Sequence, residues 1–575
     1  MSSTVHPVLA YARRLPNAWD VVALLGVFAV IAAVARVSPG TYKPIAAPDA
    51  LAISLDPLHL PEYALRTTMR MFAALAASLL FTFTYAPLAA KSRRAGLVMI
   101  PILDVLQSVP ILGFLSFTTV FFMSLFPGRV LGLELAAIFA IFTSQAWNMA
   151  FSLYQSLTTV PRDLEEATQS FRLAGWQRFW RLDVPFGTPG LVWNTMLSMS
   201  GGWFFVVASE AITLGDKTWT LPGIGSYVAM ALDKRDLAAV GWAIVAMLVV
   251  IVLYDQLLFR PLVAWSAKFR FEVVAGAVAG DPWVLKLVRR TRVLSAAADG
   301  LAGGFAAITR LRIGRPTGRA SGGPARTRRG DAVFFGVVAL LALTAAGRLV
   351  AYVTASDIGW SDLGTTVALG CITLLRVVVL IALASLVWVP IGVWLGLRPA
   401  WARGVQVVAQ FLAAFPANLL FPIFVVVIVR WHLTPDIWLT PLMILGTQWY
   451  ILFNVVAGAS AFPGDLQEVA KNFRVGGWLW WRRVMLPGIF PYYVTGAITA
   501  SGGSWNASIV AEVATWGNDK LSAHGLGAYI AHATDAGDFP RIVLGVAVMS
   551  IFVLGFNRAL WRPLYAYATR RMTFA

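Results

Sequence analysis

The residues of this chain that could do chemistry are few, and most of them come in pairs. Asp163, Glu166, Arg172 and Gly175 recur 302 residues later as Asp465, Glu468, Arg474 and Gly477. The same offset of 302 pairs Glu210 with Glu512 and Trp203 with Trp505, while Arg70 aligns with Arg376 at an offset of 306. None of these sets makes a nucleophile with its base. The single cysteine, Cys371, and five scattered histidines give no disulfide and no metal-ligand spacing. No Gly-x-x-x-x-Gly-Lys-[Ser/Thr] phosphate loop occurs, so the chain is not expected to be an enzyme or to hydrolyse ATP itself. The chemistry on offer is recognition and gating by charge.

The elements that hold the charged segments can be read locally. Asp163 is an N-cap candidate, with Glu166 three residues on in the capping-box position. Leu164, Ala167 and Phe171 form an apolar stripe, and Gly175 is a natural stop. The spacing predicts a short helix, a break, and a second short helix from near Trp176. The second copy has the same parts: Asp465 as cap, Glu468, the stripe Leu466, Val469 and Phe473, and Gly477 as stop.

These segments lie in a very apolar chain. It has 575 residues, of which 58% are hydrophobic and only 13% charged, so its natural solvent is a bilayer. Apolar runs predict spans near 21–37, 66–88, 97–124, 132–155, 191–210 and 238–260. In the second half they fall near 332–353, 366–394, 403–429, 437–458, 493–512 and 540–560. This six-plus-six count puts both charged loops, both termini and the basic 263–330 segment on one side. Arg13/Arg14, Lys91/Arg93/Arg94, Arg398/Arg403 and Arg570/Arg571 mark that side as cytoplasmic. The net charge is +18, and 263–330 carries 13 Lys/Arg against 3 Asp/Glu. Between Arg289 and Arg329 the only aromatic is Phe305, which argues against nucleic acid as a partner. Within this linker, Trp283 to Val293 reads as a basic helix lying on anionic lipid. Gly314 to Gly330 reads as disordered. A solvated tether is favoured over a regulatory segment.

The offset of 302 runs without a gap from Asp163 to Pro261. The expected architecture is therefore an all-α polytopic membrane protein of two homologous six-span halves, 1–262 and 331–575, joined by a basic cytoplasmic linker at 263–330. Parallel repeats of this kind relate by an axis along the membrane normal, with the translocation path between them.

The charged loops resemble the Glu-Ala-Ala ("EAA") loop of the membrane subunits of bacterial binding-protein-dependent ABC importers. Here they read Glu166-Ala167-Thr168 and Glu468-Val469-Ala470, running on to Val184-Pro185 and Leu486-Pro487. The family's usual glycine is Arg172 in one copy and Arg474 in the other. The resemblance is strongest to the nitrate/sulfonate/taurine/bicarbonate group and implies a fused type I permease in a bacterial inner membrane. It further implies two cytoplasmic ATPase subunits docking at 163–185 and 465–487, with ATP and Mg held by those subunits and no cofactor in this chain. A periplasmic or lipid-anchored solute-binding protein would dock near 211–237 and 513–539. The rivals are an ion-gradient-driven secondary transporter with parallel repeats and an importer for another solute class.

Seven residues are translocation-path candidates. Glu210 and Glu512 could gate a path or simply reach water. Arg70 and Arg376 could attract an anion, but snorkelling to the interface is the favoured reading. Trp203 and Trp505 are read first as core. Asp104 is the least comfortable charge of the first half and is assigned to polar packing or the pathway wall.

Overall fold

The computed structural model describes residues 17–47, 50–214, 217–269, 282–313, 328–398, 408–409, 412–460, 462–516 and 519–571. Most of the Gly314–Gly330 stretch, Arg13, Arg14, Arg403 and the first part of the span expected at 403–429 lie outside them.

In the first half, α1 (Ala18–Val37) and α2 (Leu60–Lys91) precede a broken pair, α3 (Arg93–Ser108) and α4 (Ile111–Leu125). Then come α5 (Val130–Thr158), the loop helix α6 (Arg162–Ser170) and α7 (Val184–Glu210). An antiparallel hairpin, β1 (Ala211–Leu214) with β2 (Lys217–Thr220), leads to α8 (Ile224–Asp233), α9 (Leu237–Tyr254) and α10 (Arg260–Ser266). The linker contains α11 (Trp283–Arg290) and α12 (Arg292–Arg310).

The second half repeats the plan. Its long helices are α13 (Arg328–Thr354), α14 (Trp360–Gly396), α15 (Phe421–Arg430), α16 (Trp449–Ser460), the loop helix α17 (Gly464–Asn472) and α18 (Leu486–Ala511). The hairpin β3 (Val513–Trp516) with β4 (Asp519–Ser522) follows, then α19 (Leu526–Asp535), α20 (Phe539–Phe556) and α21 (Arg562–Arg571). The repeat reaches fine detail. π-helical turns stand at Phe179–Asp183 and Asp255–Phe259, and again at Trp481–Met485 and Asn557–Trp561. A π turn in an otherwise regular helix often sits at a working position.

Among the described residues eight helices are long and apolar enough to cross a bilayer, or ten if each of two bent pairs is one span. The chain is thus a polytopic helical membrane protein. The expected span at 97–124 is not a rod: α3 and α4 meet at 100°. Pro110 dictates this, because Val109 before it is driven into the extended region (φ −74°, ψ 126°). Of the remaining expected spans, 493–512 falls in α18, which is 26 residues long but diluted by Ser501, Gly502, Gly503, Ser504 and Asn506. The described part of 403–429 ends in a helical stretch, Ala417–Arg430, too short to cross.

Each half has its own core, and each lends a segment to the other. The second half's core takes in Ile111, Leu112 and Leu115 of α4. The first half's core takes in Ala414 and Leu419. The bend at Pro110 thus throws α4 across the midline, where Phe117 meets Phe539 at 5.4 Å. The first backbone N–H of α4, which has no helical partner, donates from Ile111 to Asn506 Oδ1 on α18 at 2.7 Å. In return Asn418 Nδ2 donates to the Phe204 carbonyl on α7 at 3.4 Å.

Replacing Asn506 by Ala leaves the Ile111 N–H unmet at the seam between the halves. The expected loss is about 1–2 kcal/mol of stability, checked by thermal unfolding of the purified chain in detergent.

Candidate functional site

Arg70 lies ten residues into α2 and is only 3% exposed. Instead of snorkelling, it turns inward. Its Nε and Nη2 donate to both oxygens of Glu134 at 2.6 and 2.7 Å, and its Nη1 donates to Glu210 Oε1 at 2.6 Å. Glu134 is near the start of α5, and Glu210 ends α7. Glu210 is fully buried and also accepts from Thr67 Oγ1 at 2.7 Å and from the Gly225 backbone N–H at 2.6 Å. Thr67 in turn accepts from the Ile224 N–H at 3.0 Å, so the start of α8 is pinned as well. Gly223 makes room: a Cβ there would stand 2.4 Å from the Glu210 carboxylate.

The second half builds the same cluster with a looser rim. Arg376 donates to Glu512 and to Asp436, each at 3.1 Å. Thr373 donates to Glu512 at 2.9 Å and accepts from the Leu526 N–H, also at 2.9 Å. Ala528 N–H reaches Glu512 at 3.0 Å, and a Cβ at Gly525 would stand 2.2 Å from that carboxylate. Asp436 is the odd member, with its side chain 47% exposed and shared with His524 at 3.0 Å.

Glu134 and Asp436 escaped sequence reasoning, as did Thr67 and Thr373. The signal was present. Glu134 and Asp436 stand at the offset of 302, and Thr67 and Thr373 at the offset of 306 that pairs the arginines. Trp203 and Trp505 are core: Trp203 packs edge-on against Tyr254 at 5.8 Å, and Trp505 lies against Phe552 at 6.3 Å. Asp104 is half-buried and forms an ion pair with Arg562 of the second half, so it bridges the halves.

None of the seven path candidates lines the cavity at the midline. That cavity, of about 80 Å³, is walled by Ser200, Gly201, Phe204 and Phe205 of α7 and by Thr447, Tyr450, Gly503 and Ala507 opposite. Gly201 and Gly503 are repeat mates, as are Phe205 and Ala507, so the cavity sits on the pseudo-twofold relation between the halves. A second space of about 290 Å³ opens beside it, lined among others by Met196, Ser200, Asp255, Gln256, Arg260 and Ala414.

The charged loops depart from expectation at both ends. The helix α6 begins at Arg162 with Pro161 as its cap, and no side chain caps it. The Asp163–Glu166 capping box therefore does not form, and Asp163 lies in the first turn. Likewise α17 begins at Gly464 after Pro463, with Asp465 in its first turn and Glu468 one turn further in. The stop comes before Gly175 and Gly477. Arg172 N–H donates to the Gln169 carbonyl at 2.9 Å and Leu173 N–H to that of Thr168 at 3.1 Å. The second copy matches, with Arg474 N–H on Lys471 at 3.0 Å and Val475 N–H on Ala470 at 2.8 Å. This is a Schellman ending, and its pivot must be left-handed. Arg172 has φ +49° and Arg474 φ +54°. Gly175 and Gly477 open the next helical turn instead. Just before each pivot, Phe171 and Phe473 stand 77% and 78% exposed.

Two homologous helical halves, interlocked around a small midline cavity and each carrying an outward loop helix, define a membrane permease. Residues 62–260 and 388–572 match the model of the binding-protein-dependent transport system inner membrane component, and the chain belongs to that family. It is 27% identical over 202 residues to the nitrate import permease protein NrtB of Synechococcus elongatus, covering 34% of this chain and 68% of that protein. It is 25% identical over 179 residues to the bicarbonate transport system permease protein CmpB of Synechocystis sp., covering 31% and 61%. Against the NrtB of Leptolyngbya laminosa it is 29% identical over 109 residues, covering 19% and 37%. The matches thus span 37% and 61% of the lengths of the last of these and of CmpB.

Two outcomes follow from this geometry. Arg70→Met strands Glu134 and Glu210 without a counter-charge, which costs about 3–5 kcal/mol. Arg376→Met costs less, because Asp436 can turn to water; thermal unfolding of the two variants in detergent ranks them. Arg172→Gly and Arg474→Gly remove a left-handed non-glycine residue, and each should gain about 1 kcal/mol of local stability. Slower hydrogen exchange of the amides at 166–173 and 468–475 reads that gain.

Proposed function

We propose that this chain is the membrane-spanning part of an ATP-driven importer and carries a small oxyanion or organic anion through the seam between its halves. The supporting observation is the pair of loop helices: two copies of one lever, each ending in a left-handed arginine beside an exposed phenylalanine. An exposed aromatic at the tip of a short rigid helix is an anchor for a partner's groove. On this reading each lever docks into a cytoplasmic ATPase subunit, and those subunits hold ATP and Mg. The termini and the linker lie on the same cytoplasmic side, by the distribution of Lys and Arg. The proposed coupling residues are Asp163, Glu166, Arg172 and Gly175 with their counterparts Asp465, Glu468, Arg474 and Gly477.

Substrate would arrive from a solute-binding protein at the opposite face, where the hairpins β1–β2 and β3–β4 stand. A midline cavity of about 80 Å³ supports a small solute. The relatives' names, nitrate import and bicarbonate transport, point the proposal to small planar anions. Glu210, Glu512, Arg70 and Arg376 then serve the path indirectly, by holding each half rigid, and transport proceeds by rigid-body motion of the halves.

Glu166→Pro and Glu468→Pro each place proline inside a loop helix, at about 3 kcal/mol to the helix. Expressed with ATPase and binding-protein subunits, either variant should stop uptake from an anion panel and reduce co-purification of ATPase. Normal uptake and normal recruitment in both would overturn the lever assignment, and an ion-gradient requirement in place of ATP would favour a secondary transporter.

A further inference from the structure

The two loops are alike in backbone but not in what holds them. Beside the first loop lies α12, a 19-residue helix of the linker. Both of its ends are capped by the first half. At its start, Asp20 of α1 accepts the Val293 backbone N–H at 2.8 Å, and Asp20 is fully buried. Asn17 Nδ2 donates to the Arg290 carbonyl just before it at 2.7 Å, and the Arg290 guanidinium lies 5.6 Å from the Trp19 ring centre. At its far end the loop donates to carbonyls of the last helical turn and of the chain just beyond it. Trp176 Nε1 donates to Ile308 at 2.9 Å, Gln177 Nε2 to Arg310 at 2.9 Å, and the Trp176 N–H to Ile313 at 3.2 Å. Phe305 stands edge-on to Trp180 at 5.0 Å between these ends.

The helix is a poor one in isolation, since Gly300, Gly303 and Gly304 lie in its middle. Its docking sites therefore hold it together. At about 28 Å, it spans from the base of α1 to the first loop.

The second loop has no fittings for such a helix. The repeat mates of Gln177 and Trp180 are Leu479 and Arg482, and Trp478, the mate of Trp176, is 73% exposed. The first loop is also tied to the helix body by an ionic chain. Glu165 pairs with Arg178, Arg178 stands 3.5 Å from Asp183, and Asp183 meets Lys91 of α2 at 2.9 Å. The equivalent positions are Gln467, Trp480, Met485 and Leu397, so these ion pairs have no counterpart there.

We propose that α12 is a docked strut of the linker that fixes the first loop against α1, leaving the second loop as the mobile member of the pair. The docking is a property of this chain alone, while its consequence for coupling rests on the loop reading above. The linker is then an interaction surface whose partner is the aromatic flank of the first loop.

Hydrogen-exchange mass spectrometry on the full chain in lipid nanodiscs tests this without any ATPase, so its failure is separable from failure of the importer reading. Amides of 296–310 should be protected, and those of 165–172 should exchange at least about tenfold more slowly than those of 467–474. Gln177→Leu, which copies the second loop, and Phe305→Ala, which lies in the linker and leaves the membrane body intact, should each release 296–310 and narrow the difference between the loops. The strut is refuted if 296–310 exchanges as free peptide in the unmodified chain. It is equally refuted if the loops exchange alike, or if neither variant changes the protection.

Discussion

The structure depends on one arginine being held among carboxylates inside each half. A guanidinium or a carboxylate alone in a bilayer-embedded core is intolerable, and the pair is tolerable only with short, well-directed bonds. Arg70 meets that condition by drawing on three elements at once: Glu134 on α5, Glu210 at the end of α7, and the Pro222 carbonyl in the approach to α8. The cluster therefore sets the register of α2, α5 and α7 and holds the hairpin β1–β2 over their ends. Arg376 ties α14 to Glu512 at the end of α18 and to Asp436, which is partly in water, while Thr373 and Glu512 hold the start of α19. Each half is thereby tied into one body, because sliding one helix would expose an unpaired charge.

The crossed segments define where these two bodies meet. Pro110 turns the chain by 100° and sends α4 into the opposite core. The polar bonds of this exchange fall at related positions: Asn506 and Phe204 are repeat mates, and one receives Ile111 while the other receives Asn418. The midline cavity lies beside these contacts, where a Cβ at Gly201 would stand 3.0 Å from the Tyr450 hydroxyl of the second half and one at Gly503 2.4 Å from Thr447. Charge keeps each half whole and sits away from the cavity, while small and aromatic groups line it. That division lets the seam change shape without breaking an ion pair of either cluster.

The duplication was legible because it was written in single residues at a fixed offset, and the helical membrane class followed from apolar runs. What the sequence hid was direction. Arg70 near a span end reads as snorkelling, since the pattern gives its depth but not the carboxylate on another helix that it faces. Asp163 reads as a cap because its type is right, yet Pro161 is the cap and the helix starts two residues earlier. The Arg172 pivot was visible only as a missing glycine; the left-handed φ explains why glycine is usual there. The helix α12 was hidden by its own glycines, which lower local propensity, while its stabilising partners Asp20, Trp176 and Gln177 are distant in sequence. The linker could not disclose a helix that exists by docking.

Fusion of the halves gives this last feature its meaning. A permease assembled from two identical half-chains must present identical loops, so whatever ties one ties the other. A single chain escapes that symmetry. Here the residues that hold each half together occur twice, as Arg70 and Arg376, Thr67 and Thr373, Glu210 and Glu512. The residues that anchor a loop, namely Lys91, Glu165, Gln177, Arg178 and Asp183, occur in the first half and have no like residue at the related positions of the second. The loop anchors are thus asymmetric, while the Arg, Thr and Glu of the buried clusters are kept in both halves. A pattern of that kind separates two demands on the same fold: rigidity, which both halves must satisfy, and loop mobility, which the linker lets them divide unequally.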